Sequence, residues 1–75
     1  MDAWLTARAE RLAAASGTPE ARLDPTQYDV DAILAVAQAA REESDGQTNE
    51  PVLCYLLGFA AGNSGMDLHA LIAAL

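Results

Sequence analysis

The chain has 75 residues, of which 11 are acidic, four are arginine and none is lysine, for a net charge of −7. A chain this short is one domain, 1–75, near the lower size limit, where a fold buries only about 60% of its unfolded surface. The acidic balance argues against nucleic acid, whose phosphates need a positive surface, and against anionic membranes.

Seventeen alanines and ten leucines stand against five valines or isoleucines, so strong helix formers dominate and an all-α domain is expected. The apolar fraction of 52% with 20% charge is too rich for a disordered tail. A single cysteine cannot form an internal disulfide. Residues 1–15 carry Asp2, Arg8, Glu10 and Arg11 through what a signal peptide would need to be apolar. The longest apolar run, Val52 to Ala61 with Gly58 counted, is about half a membrane span. A soluble, cytoplasmic protein is expected.

Helix 1 is predicted over Ala3 to about Ala15, capped by Asp2 and stopped by Gly17. Its apolar face reads Trp4, Leu5, Ala9, Leu12 and Ala13. Thr18-Pro19-Glu20 reads as a cap with proline at the first helical position, giving a short turn over Thr18–Leu23 that Asp24-Pro25 breaks. Helix 2 is predicted from a cap at Asp29 to Glu43, with Val30, Ile33, Leu34, Ala37 and Ala40 inside and Val36 at the stripe's edge. Ser44 to Asn49 is the one long polar stretch and reads as a loop.

Helix 3 is predicted from Glu50 or Pro51 to near Gly62. It is apolar almost all round, the pattern of a helix enclosed by others. Gly58 in its middle costs about 1 kcal/mol relative to alanine, which points to a close helix crossing at Gly58 and Gly62. Ser64 with Asp67 approximates a capping box opening helix 4, about Gly65 to Ala74, which packs Leu68, Leu71, Ile72 and Leu75. The expected architecture is a compact bundle of four helices plus a short helical turn, with helix 3 central and buried.

No catalytic, cofactor-binding or metal-binding residue emerges. His69 has only Asp67 and Cys54 to draw on, and residues two apart on a helix do not face each other, so it reads as a surface or interface histidine. Cys54 reads as a buried, unreactive thiol. The acids Glu42, Glu43, Asp45 and Glu50, and Asp24, Asp29 and Asp31, read as solvated caps; Asp29-x-Asp31 lacks the glycine and later glutamate of a calcium loop. Gly62-Asn63-Ser64-Gly65 could cradle a phosphate, but no basic residue follows it, and a helix stop is the plainer reading. Trp4 is either a lid on the core or an anchor for another surface. Three of the four arginines, Arg8, Arg11 and Arg22, lie toward the N-terminus, away from the acids of the middle.

The start Asp2-Ala3-Trp4, the segment Val30-Asp31-Ala32-Ile33-Leu34-Ala35-Val36-Ala37, Glu50-Pro51, and Tyr55-Leu56-Leu57-Gly58-Phe59-Ala60-Ala61-Gly62 together resemble a small all-helical bacterial domain. That domain occurs alone or fused behind the nucleotidyltransferase that attaches GMP to molybdopterin, and the resemblance covers nearly the whole chain. Gln47-Thr48-Asn49-Glu50-Pro51-Val52-Leu53-Cys54 departs from the family's basic residue, prolines and paired threonines, so no role of that loop carries over. The resemblance implies an accessory function in molybdenum cofactor maturation or delivery, by contact with the guanylyltransferase or a molybdoenzyme. It implies no catalytic residue.

The reading that follows is a non-enzymatic helical interaction module. Its candidate interaction residues are Trp4, Arg8, Glu50, Pro51 and Tyr55, and its candidate close-packing residues are Gly58 and Gly62. Two rivals are a small homo-oligomeric structural protein and a small-molecule or nucleotide binder at the helix 3–helix 4 junction.

Overall fold

Asp2 stands in extended backbone and its carboxylate accepts the Leu5 backbone N–H at 2.8 Å, which turns the chain into α1 (Ala3–Ser16). The computed structural model describes residues 1–44 and 46–75. Asp45, one of the acids expected around the long loop, lies outside them. Gly17 takes the left-handed conformation at φ 73° and its N–H closes on Ala13, as a glycine stop should. Pro19 then precedes a 3-10 turn (Glu20–Leu23) rather than occupying its first position. Thr18 does not cap that turn; its hydroxyl accepts from Ser16 at 2.8 Å.

The second helix starts earlier than expected. α2 (Gln27–Glu43) is capped by Thr26, not Asp29. Thr26 Oγ1 accepts the Asp29 backbone N–H at 3.1 Å while Asp29 Oδ2 accepts the Thr26 N–H at 2.9 Å. This reciprocal capping box satisfies two free donors, where Asp29 alone as cap would satisfy fewer. The buried stripe of α2 is Val36, Ala37 and Ala40, flanked by half-buried Val30 and Ile33. Val36 therefore belongs to the core, and Leu34, expected inside, is exposed.

α3 runs over Asn49–Ser64, two residues beyond the expected end near Gly62, and is closed at Gly65 within the turn read from the sequence as a helix stop. Gly62 stays helical, and Gly65, at φ 72°, is the left-handed stop. Ser64 donates to Ala60 and accepts from Met66, so α4 (Leu68–Ala73) opens instead on Asp67, whose carboxylate accepts the Ala70 N–H at 3.2 Å. Within α4, Leu68, Leu71 and Ile72 are half-buried, and Leu75 beyond it is exposed.

Among the described residues all elements are helical, and α3 is central, packed on both α2 and α4, while α2 and α4 also meet. The expectation that α3 is buried all round is corrected by its two faces. Glu50, Leu53, Cys54, Leu57 and Ala61 pack inward, with Leu57 6% exposed. Val52, Tyr55, Leu56 and Phe59 face outward and are exposed. Both sets repeat at three- and four-residue steps, offset by about half a turn. The reason is α1: among the described residues it packs on the 3-10 turn and on no other element, so nothing from it closes the outer face of α3. Trp4, Leu5 and Leu12 are accordingly exposed, and the face of α1 that is covered is Ala9 and Ala13.

Candidate functional site

On α1, Trp4 and Arg8 are one turn apart and therefore neighbours on the helix surface. The Arg8 guanidinium sits over the indole, 4.5 Å from the ring centroid, a cation–π arrangement. Trp4 keeps 62% of its surface in solvent, which rules out the lid reading. With Leu5 and Leu12 exposed on the same helix, this forms an aromatic and aliphatic patch with one positive charge held at its centre.

The other expected interaction residues lie at the start of α3, which shares no packed contact with α1. Glu50 is committed within the chain: Arg41 Nε lies 3.3 Å from its Oε2. The pair joins the last turn of α2 to the first turn of α3, where each charge also suits its helix end. Pro51 is exposed in that turn. Tyr55 is 67% exposed and stands against Phe59, with ring centroids 6.2 Å apart. The candidate interaction residues thus fall in two patches on separate helices.

Gly58 and Gly62 do not mark a close crossing inside the chain. A Cβ at either would meet nothing within 4 Å, because both lie toward the open side of α3. They line a groove of about 790 Å³ between the 3-10 turn and the ends of α3 and α4, bordered by Arg22, Asp24, Phe59 and Asp67. The junction Gly62–Gly65 edges this groove, but its backbone donors are already used: Gly65 N–H on Ala61 and Met66 N–H on Ser64. Asp67 also lines the groove, and its negative charge disfavours a phosphate there.

His69 has a partner that sequence spacing did not reveal. Its Nε2 lies 2.7 Å from Asp29 Oδ1, and its ring stacks on Tyr28 at a centroid distance of 4.2 Å. The first turn of α2 thereby fastens α4. Asp29 is held below the usual carboxylate range, first by the Thr26 backbone N–H and then by the bond from His69. The only sequence signal was the pairing of one histidine with an acid-rich helix start, 40 residues away. Cys54 is half-buried on the inner face of α3 rather than fully enclosed.

Among the described residues, no group of three or more His, Cys, Asp or Glu side chains is placed to hold a metal ion. Nor is any helix among them long and apolar enough to cross a membrane. No family model, curated protein or solved structure matches this chain.

Proposed function

We propose that the chain is a non-enzymatic interaction module that presents the Trp4–Arg8 face of α1 to a protein partner. One observation carries this: a tryptophan left largely in solvent, braced by an arginine, on a helix that buries only Ala13 and packs on the 3-10 turn. Tryptophan and arginine are the side chains that most often dominate binding energy at protein interfaces. A cation already stacked on the ring also loses less freedom when a partner arrives.

The partner proposed is the molybdenum cofactor guanylyltransferase or a molybdoenzyme that receives its product. That identity rests on the resemblance through Asp2-Ala3-Trp4 and the Tyr55–Gly62 segment. On α1, Arg8 and Arg11 stand against Glu10 and the capping Asp2, a mixed charge pattern that suits a docking surface of mixed charge. The module supplies contact and placement, and the chemistry belongs to the partner.

Co-purification with the nucleotidyltransferase, followed by titration calorimetry, tests the reading. Trp4→Ala is expected to weaken the complex by 2 kcal/mol or more, roughly 30-fold. Retention of full affinity by Trp4→Ala, or no complex with either class of partner, would overturn it.

A further inference from the structure

We infer that the partner docked on the Trp4 face of α1 presents carboxylates to Arg8 and Arg11, set beside an apolar recess that takes the indole. This rests on the reading that α1 holds a protein partner, and it names the chemistry that partner must offer.

The charges of α1 are sorted by side. An α-helix turns about 100° per residue, so residues three, four or seven apart share a face. Trp4, Leu5, Arg8, Arg11 and Leu12 stand together by that rule, and all five are exposed. Glu10 comes two residues after Arg8 and six after Trp4, and faces away from both. Asp2 precedes the first turn, with its carboxylate bonded to the Leu5 backbone N–H.

Neither arginine is neutralised by its neighbours. At three- and four-residue steps Arg8 meets Trp4, Leu5, Arg11 and Leu12, while Arg11 meets Ala7, Arg8, Ala14 and Ala15. No acid is among them. The ion pairs among the described residues are Arg41 with Glu50 and His69 with Asp29. Glu20 and Asp24, at the adjoining 3-10 turn, pair with neither Arg8 nor Arg11. Like charges one turn apart destabilise a helix, and nothing within α1 offsets this pair.

The partner's charge follows by complementarity. The Arg8 guanidinium is held 4.5 Å from the indole centroid, so its fork of N–H donors is already placed for a carboxylate to accept from. A small inorganic anion would leave Trp4, Leu5 and Leu12 uncovered. Nucleic acid and anionic bilayers are disfavoured by the net charge of −7. A protein surface sets a few carboxylates among apolar side chains, which is the complement of this face.

Trp4 is the one tryptophan of the chain and keeps 62% of its surface in solvent, so its fluorescence reports what covers the face. The probes are two amphipathic helical peptides, one of leucine and glutamate and one of leucine and lysine, and phosphatidylglycerol vesicles. The leucine–glutamate peptide should shift the emission to the blue, and the leucine–lysine peptide should not. Arg8→Gln and Arg11→Gln should each weaken that binding about tenfold. Glu10→Gln should leave it unchanged. Arg8→Glu with Arg11→Glu in one chain should exchange the preference between the peptides, with helicity by circular dichroism retained. The two single substitutions carry the test where the double variant does not fold. Added salt should weaken the binding, since exposed charges are screened over about 10 Å at 0.1 M. No shift with either peptide, equal shifts with both, a larger shift with the vesicles, or a preference that survives the arginine substitutions would overturn the inference. So would a nucleotidyltransferase complex that Trp4→Ala weakens and the arginine substitutions leave untouched. The reading beneath it fails in a different way, through a Trp4→Ala variant that keeps its full hold on the nucleotidyltransferase.

Discussion

The Asp29 carboxylate accepts a bond on each oxygen, from the Thr26 backbone N–H on Oδ2 and from His69 on Oδ1. Both favour the ionised form, so its pKa lies below the usual value, with Thr26 the larger cause. In the unfolded chain the group titrates near the ordinary value of about 3.9. A folded-state pKa lower than that stabilises the fold above the unfolded value, and the contribution is lost as pH falls through the folded one. In ¹³C NMR, the Asp29 carboxyl carbon is expected to titrate with a midpoint below the ordinary value. Urea melts at neutral and acid pH should differ less for Asp29→Asn than for the parent; an unchanged difference would mean that this carboxylate is not coupled to folding. Sequence spacing suggests an acid at this helix start, but for His69 it offers only Asp67 and Cys54 as partners. A contact spanning 40 residues depends on how α4 folds back, which local pattern does not encode.

Leu57 and Gly58 are adjacent in α3 and are expected to respond oppositely to alanine. Leu57 is the one large side chain of α3 that is buried, and its removal should cost about 2–5 kcal/mol. That is a large share of the roughly 4–11 kcal/mol a domain of this length commands. Gly58→Ala should raise stability by up to about 1 kcal/mol when measured at dilution, since the new methyl meets nothing within 4 Å. Thermal melts of both variants check the contrast, and a destabilising Gly58→Ala at dilution would place a contact there that the fold lacks. The reason the close crossing was expected is also visible. An apolar side chain looks the same in sequence whether it packs on another helix or stands in solvent, so Leu53 and Leu57 are not told from Leu56 and Phe59 by composition. The Asp2 cap and the Gly17 stop, in contrast, depend on chemistry within one turn and are found as read.

At the scale of the molecule, the four helices and short turn of the described residues follow from alanine, leucine and the cap residues, and the sequence order of elements is the one observed. What the sequence does not contain is the placement of α1. Its stripe of Trp4, Leu5, Leu12, Ala9 and Ala13 reads as a core face, yet only the alanine side is covered, because the packed contact is with the 3-10 turn alone. Removing residues 1–17 should therefore leave α2, α3 and α4 with a cooperative melt, since their mutual packing and the His69–Asp29 tie are all retained. Circular dichroism of the shortened chain tests this, and loss of the transition would assign α1 a structural share that its contacts do not suggest.

The slight attachment of α1 also sets a limit on how tightly its tryptophan could hold anything. A lone helix of 14 residues is marginal in water, so the order of this one depends on little beyond its Asp2 cap, the Gly17 stop and a few alanine contacts. Recognition through it is then discounted by the fraction of time the helix is formed and seated: at about one part in ten, the apparent affinity is about tenfold weaker than the intrinsic one. Substitutions that raise helix propensity on the far side of α1, touching neither Trp4 nor Arg8, would recover that factor. The tightness of recognition in this chain would then be set as much by how often a segment is ready as by what its side chains touch.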